Sequence, residues 1–247
     1  MNPQYINEVR LEKEIAPCSY LNGLPVIKYL KKNSISFEKP VTIFVGENGT
    51  GKSTLLEAIA VAYGFNAEGG TKNFTFSTNP THSELFEHLA VSRRAHAKDG
   101  FFLRAESVYN VATNIDQMDD EPSFGPPIID SYGGISLHEQ SHGESFLAIV
   151  RNRFSGNGLY ILDEPEAALS PMRIMSLIAE IDRLVKSNSQ FIIATHSPIL
   201  MSFPDADILE LSGNGIEKVN YKDTEHFKIT KDFMENPERM LHYLLGE

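Results

Sequence analysis

Cysteine is nearly absent from this chain: Cys18 is the only one in 247 residues, so no disulfide can form within it. Long apolar runs are missing too, which excludes a membrane-spanning helix. The first residues, with Glu8, Arg10, Glu12, Lys13 and Glu14, lack the apolar centre of a secretory leader. Positive charge is scarce, with 22 basic residues against 33 acidic ones and a net charge of −11. Such a surface repels phosphate backbones unless its cations are gathered on one face, which disfavours sequence-independent nucleic-acid binding. No internal repeat and no sustained heptad pattern is visible, so a long coiled coil is excluded. What remains is a chain whose 41% apolar residues suffice for a sizeable core. The expectation is a soluble cytoplasmic protein of one α/β domain, 1–247.

Four short segments stand in a fixed order: GENGTGKST, QSHGES, YILDEP and ATHSP. The first comprises Gly46, Glu47, Asn48, Gly49, Thr50, Gly51, Lys52, Ser53 and Thr54. It fits G-x-x-x-x-G-K-[ST], in which glycines let the backbone curl and aim several N–H groups at one phosphate chain. VTIFV before it reads as a strand, and Leu55, Leu56, Ile59, Ala62 and Tyr63 after it repeat with helical spacing. In that context Lys52 reaches the β/γ-phosphates and Ser53 ligates magnesium. An ordinary glycine-rich turn is the weaker reading.

YILDEP reads as a buried strand, Leu159 to Leu162, ending in adjacent carboxylates Asp163 and Glu164. Neighbouring strand side chains point to opposite faces, but where the backbone turns both can approach one site. Asp163 is expected to hold magnesium and Glu164 to act as general base toward a water. QFIIATHSPIL repeats the pattern, and His196 falls just beyond its strand, where ligands bind in open parallel sheets.

The second segment also matches a metalloprotease pattern, H-E-x-x-H, at His138, Glu139 and His142, with Glu166 as a conceivable third zinc ligand. That chemistry requires one continuous helix. Here Gly133-Gly134 breaks the chain, and Ser141-His142-Gly143-Glu144 is a capping box before the apolar Phe146, Leu147, Ile149 and Val150, so the helix begins afterwards. The capped reading makes Ser141 and Gly143 part of a second anion-binding helix start. If both belong to one ATP site, the second comes from another copy of the chain.

Taken together, the four segments resemble those of the ABC-type ATPases, in the soluble branch related to RecF, SMC and Rad50 proteins and to stand-alone predicted ATPases of the AAA family. The resemblance runs from about Pro25 to Leu211. It implies a P-loop α/β fold, ATP and Mg2+ as ligands, and two chains sandwiching two ATPs head to tail. Carried onto this sequence, Gly46 to Thr54 resemble Walker A and Asp163 Walker B, with Glu164 as catalytic base and His196 as switch histidine. Ser141, Gly143 and Glu144 resemble the signature acting in trans, and Leu169-Ser170 the subunit-contact loop. QSHGES departs from the usual LSGGQ at His142 and Glu144. The lid glutamine has only Glu106 and Gln117 as candidates, and the adenine-stacking aromatic is open between Tyr20 and Tyr29. Between Lys52 and Asp163 there is no room for a coiled-coil arm.

The expected layout is a mainly parallel sheet flanked by helices, with an N-terminal antiparallel β lobe (1–45), a lid and helical lobe (about 66–150), and a closing part (151–247). Residues 66–83 read as a loop or lid, SELFEHLAVSRRAHAK as a helix bearing Arg93, Arg94 and Lys98 on a solvated face, and 116–134 as a mobile connection. Ser170-Pro171 opens a helix with Ile174, Leu177, Ile178, Ile181 and Leu184 inward. A last helix, through Met240, Leu241, Leu244 and Leu245, is expected to pack on the domain. Two functions fit: an ATPase serving an unknown protein effector in nucleic-acid maintenance or defence, and the energy-coupling subunit of a membrane transporter. A small-molecule kinase would have no use for the signature segment.

Overall fold

The computed structural model describes residues 4–72, 83–120 and 125–246. In chain order these form β1 (Ile6–Leu11), α1 (Pro25–Leu30), β2 (Ile35–Ser36), β3 (Val41–Gly46), α2 (Lys52–Tyr63), β4 (Leu89–Arg93), β5 (Asp99–Arg104) and α3 (Val108–Asp120). There follow α4 (His142–Ala148), β6 (Gly158–Asp163), α5 (Pro171–Lys186), β7 (Gln190–Ala194), α6 (Pro198–Met201), β8 (Asp207–Ser212), β9 (Gly215–Val219), α7 (Glu225–Glu235) and α8 (Pro237–Leu245).

The larger sheet has six strands in the order β5-β6-β7-β3-β8-β9, parallel except for the β8–β9 hairpin. Its central strands read as continuous apolar runs because both faces are covered. Alternate residues separate into two cores. Val41, Ile43 and Val45 of β3 share one with Tyr160, Leu162, Phe191 and Ile193, against α3, α4 and α5; Phe44 shares the other with Leu159, Ile161, Ile192 and Ala194, against α2. Ser170 and Pro171 open α5 as expected, with Ile174, Leu177, Ile181 and Leu184 buried and Ile178 partly so.

The smaller sheet, β2-β1-β4, is antiparallel and holds the N-terminal strand between its partners. Its third strand corrects the helix expected over SELFEHLAVSRRAHAK. Ser83 caps a single 3-10 turn, Glu84–His88, and the chain then extends as β4, pairing Val91 with Val9 and Leu89 with Leu11. An unpaired edge of β1 outweighs the local helical pattern, as tertiary pairing often does. Arg93 is not on a solvated helix face either. Its guanidinium donates to the carbonyls of Ala62 (3.0 Å) and Tyr63 (3.1 Å), closing the end of α2 where unpaired carbonyls favour a cation.

The connection expected to be mobile over 116–134 is instead largely built. α3 continues to Asp120, and the Asp119 carboxylate accepts from the backbone N–H of Ile128 (2.5 Å) and Ile129 (2.8 Å), fixing a turn that buries Tyr132. Residues 121–124 of that stretch and 73–82 of the expected lid lie outside the described residues. The last helix departs from expectation as well: neither α7 nor α8 has a buried residue, and Leu241, Leu244 and Leu245 are exposed. The apolar spacing marked an amphipathic helix correctly, but spacing does not say what covers its face.

One polar cluster fastens the parallel sheet at the start of β5. The Asp99 carboxylate accepts from Tyr160 Oη (2.7 Å), Ser155 N (3.0 Å) and Arg153 Nη1 (2.8 Å). Burial opposes its ionisation, yet the donors and the Arg153 charge win and hold its pKa below the usual value. A carboxyl depressed in the folded state contributes stability above its unfolded pKa of about 3.9, and that contribution is lost as pH falls through the lower folded value. Asp99→Asn is therefore expected to cost about 1–3 kcal/mol at pH 7. In urea denaturation across pH, its stability should decline less than the wild type's below about pH 4. Parallel acid limbs in the two proteins would show that Asp99 does not contribute as described.

Candidate functional site

Parallel register brings the chemistry to one edge. Arg104 pairs with Asp163, Asp163 with Ala194, and Ala194 with Phe44, so β5, β6, β7 and β3 end at one level. The phosphate loop leaves β3, the two carboxylates end β6, and His196 follows β7 between them. The strand ends are also laced together: Glu164 N donates to Ala194 O (2.9 Å) and Thr195 N to Phe44 O (3.2 Å).

The phosphate loop has the shape its glycines allow. Gly46 sits at φ 136° so close to β8 that a Cβ would lie 2.1 Å from Leu211 O, and at Gly51, φ 96°, one would lie 2.6 Å from Val26 Cγ1. No other residue fits either place without displacing a neighbour. Thr50 Oγ1 donates to Glu47 O (2.8 Å), and α2 starts at Lys52. Lys52 is buried, its Nζ donating to the carbonyls of Gly46 (2.7 Å) and Glu47 (2.9 Å); burial lowers its pKa against the pull of Glu164 and Asp163. The ammonium thus sits under the loop that would cradle a phosphate.

Ser53 Oγ donates to Asp163 Oδ1 at 3.1 Å. Asp163 is buried, and burial pushes its carboxyl up to about 6, against the opposing pull of the Arg104 guanidinium. A serine hydroxyl and a buried carboxylate at hydrogen-bond distance form a hard-oxygen pair suited to magnesium, which is ordinarily held by one or two protein oxygens with phosphates and water completing its shell. The residues present fit the ion.

Glu164 adopts φ 48°, ψ 51°, a left-handed conformation uncommon for a residue with a side chain. The turn swings its half-exposed carboxylate out of the strand toward His196, whose Nε2 lies 3.7 Å from Glu164 Oε1. This answers how adjacent strand residues serve one site: the strand ends between them. Burial first, then the Lys52 charge, lowers the pKa of His196, so the ring is neutral at pH 7.

Four residues here were not singled out from sequence for the roles their contacts suggest. Arg104 forms ion pairs with Glu57 (2.8 Å), Glu106 (2.7 Å) and Asp163 (3.4 Å), so the buried carboxylate has a cation beside it. Glu166, considered from sequence as a conceivable zinc ligand, accepts from Thr195 Oγ1 (2.7 Å) and from the backbone N–H of His196. His226, at the start of α7, meets His196 Nδ1 through its own Nε2 at 2.9 Å. Arg173 donates to Ser141 Oγ (3.3 Å) and Glu144 Oε1 (3.0 Å). Each makes a contact distant in sequence, which local patterning does not reveal.

The signature segment lies apart from this cluster. Glu144 folds back to accept from Ser141 N (3.0 Å) and Ser141 Oγ (2.5 Å) at the start of α4, the expected capping arrangement. Gly143 is buried, and a Cβ there would lie 2.7 Å from Ala168 O and 2.7 Å from Arg173 Nη1. Among the described residues, no hydrogen bond or ion pair joins Ser141 to Glu144 with Lys52, Asp163 or His196. The metalloprotease geometry is not formed: His138 lies in a 3-10 turn, Gln140 is extended, and His142 opens α4. Leu169 is buried and Ser170 exposed. Of the lid candidates, Glu106 lines a cleft of about 260 Å³ with Ser53, Asp163 and Glu164, whereas Gln117 is exposed on α3. Tyr29 packs beside Gly215; Tyr20 is exposed.

Comparison with known proteins agrees with this geometry. Residues 26–113 match a family described as "AAA domain", and residues 137–202 one described as "AAA domain, putative AbiEii toxin, Type IV TA system". The ribose import ATP-binding protein RbsA of Jannaschia sp. is 29% identical over 196 residues, 70% of this chain and 36% of that protein. The tungstate uptake system ATP-binding protein TupC of Campylobacter jejuni is 24% identical over 232 residues, 81% of this chain and 66% of that one. The matched region thus spans from about a third to about two thirds of these relatives. Among solved structures, cbiO1 from Clostridium perfringens, part of the ABC transporter complex cbiONQ, superposes with a TM-score of 0.54 at 18% identity, covering 97% of this chain and 98% of that one. An ATP-binding cassette of an ABC transporter gives 0.53 at 16%, covering 94% and 97%. The fold is that of a P-loop NTPase. That fold is shared with an ATP-binding cassette of an ABC transporter, and no helix among the described residues of this chain is long and apolar enough to cross a membrane.

Glu166→Ala leaves the Thr195 hydroxyl, which is fully buried, and the His196 N–H without their carboxylate. The expected cost is about 1–3 kcal/mol in chemical denaturation. An unchanged midpoint would mean that the turn after β7 holds its shape without Glu166.

Proposed function

We propose that this chain binds Mg-ATP and hydrolyses it as a head-to-tail dimer, with opening and closing coupled to a protein effector. The observation that supports it best is the common level of the strand ends, which gathers Lys52, Ser53, Asp163, Glu164 and His196 at the edge of one sheet. The backbone of Gly46 to Thr54 cradles the phosphates, and Lys52 turns from its loop carbonyls to the β/γ oxygens. Ser53 and Asp163 would hold magnesium, which would supply positive charge at the phosphate oxygens. Glu164 orients a water in line with the γ-phosphorus and accepts its proton, while His196 donates a hydrogen bond to the γ-phosphate. Ser141, Gly143 and Glu144 of a second copy close over the nucleotide, and exposed Tyr20 is available to stack on adenine.

Lys52→Ala is expected to abolish ATP binding. Glu164→Gln should retain binding and lower turnover by about 10²- to 10⁴-fold, the usual worth of a general base. Hydrolysis at the wild-type rate in Glu164→Gln would remove Glu164 from that role. In light scattering, Glu164→Gln with Mg-ATP should shift from monomer to dimer. A nucleotide-bound monomer would instead mean that a different protein supplies the facing half-site.

For the effector we favour nucleic-acid maintenance or defence, supported by the toxin–antitoxin description of the family matched over 137–202. A second reading, the energy-coupling subunit of a transporter, is supported by the import and uptake names of RbsA and TupC. ATPase stimulation by DNA or RNA would favour the first, and co-purification with a membrane protein the second.

A further inference from the structure

His196 is held from two sides, and the side facing away from the carboxylates is made by a residue outside all four motifs. Its Nε2 points toward Glu164 Oε1 at 3.7 Å, and its Nδ1 meets His226 Nε2 at 2.9 Å, a hydrogen-bond distance. The rings lie 5.1 Å apart between centroids and are tilted by 51°. His196 Nε2 and His226 Nδ1 are both buried and have no hydrogen-bond partner.

Proton bookkeeping then selects one arrangement. Two neutral imidazoles joined at 2.9 Å need one N–H and one lone pair between them. If His196 donated from Nδ1, its bare Nε2 would face the Glu164 carboxylate, acceptor against acceptor. If His226 donates from Nε2, His196 carries its proton on Nε2, and His226 keeps a bare Nδ1. The second arrangement turns an N–H toward the carboxylate and leaves a bare nitrogen, rather than an N–H, as the buried unpaired atom of His226. Neutrality of His196 at pH 7 is consistent with it.

The turn that carries His226 is built to hold it. Thr224 is fully buried; its hydroxyl donates to Tyr221 O (2.8 Å) and accepts from Phe227 N (3.3 Å), and Lys228 Nζ donates to Asp223 O (2.7 Å). The rings of Tyr221 and Phe227 pack 4.6 Å apart between centroids, tilted by 59°. The remainder of α7 has no buried residue, so its first turn is the anchored part.

We propose that His226 is a positioning residue, whose Nε2–H locks His196 as the Nε2–H tautomer and so presents a hydrogen-bond donor to the γ-phosphate. The proposal rests on the ATP-hydrolysing reading of the site. It acts as an outer partner acts on a ligating histidine, by fixing which ring nitrogen is protonated.

The test pairs NMR of nucleotide-free protein labelled with ¹⁵N-histidine with steady-state kinetics. In wild type, His196 should show a protonated Nε2 and a bare Nδ1. In His226→Ala it should show both tautomers, and kcat should fall about tenfold with KM for ATP within about twofold. His226→Gln, whose side-chain amide N–H can donate from nearly the same place, should restore the tautomer and most of kcat. His226→Asn, too short to reach, replaces the alanine variant if that one does not fold. A His196 tautomer unaltered in the shortened variant overturns the proposal, and so does an unchanged kcat. The tautomer is read without turnover, so wild-type protein that fails to hydrolyse ATP would count against the ATPase reading while the NMR result still decides the histidine pairing.

Discussion

A buried carboxylate at the end of a parallel strand is the constraint on which the site turns. Asp163 sits where solvent cannot stabilise its charge, and burial pushes its carboxyl up to about 6. It therefore needs a cation, and the surrounding residues answer that need. Arg104 approaches from β5 at the same register level, Ser53 offers its hydroxyl from the first turn of α2, and both leave an oxygen-lined cleft beside Glu164. A divalent ion entering there would meet a carboxylate with little water to give up, the condition under which electrostatic interactions are strongest.

The same register explains why the groups of the candidate site come from distant parts of the chain and are still rigid relative to one another. Asp163, Glu164 and His196 sit within two residues of a strand end, Lys52 and Ser53 follow β3 across the phosphate loop, and every strand between β5 and β8 is tied to its neighbours by parallel hydrogen bonds with both faces packed. At two of the exits, Gly46 and Glu164, positive φ angles redirect the chain. Glycine tolerates this in the first case. At Glu164, which carries a side chain, the left-handed turn is held instead by the neighbouring strand, through the hydrogen bond from Glu164 N to Ala194 O.

Much of this was legible in the sequence because it is local. The phosphate loop, the apolar strands, the cap at Ser141 and the opening of α5 each depend on residues within a few positions of one another. What was not legible depends on pairing across the fold. Leu89–Arg93 reads as helix until β1 needs an edge partner; Arg93 reads as a surface cation until the end of α2 presents its carbonyls. Arg104, Glu166 and His226 carry no local signature, since partners that give them meaning, Glu57, Thr195 and His196, lie 29 or more residues away. The last helix shows the opposite limit: its amphipathic face was evident, but its exposure was not.

His196 joins the two kinds of information. Its motif places it at a strand end, and its tautomer is set by contacts no motif contains. Glu166 fixes its backbone, Glu164 faces one ring nitrogen and His226 the other. The first turn of α7, which brings His226, is anchored through Thr224, while the rest of α7 and α8 stands out with its apolar residues exposed. A displacement of α7 would reach His196 both through the hydrogen bond between the two imidazoles and through the contact of α7 with α6, which follows His196 in the chain. Loss of that hydrogen bond would change which ring nitrogen of His196 can donate, so the placement of α7 and the protonation pattern of the site are linked.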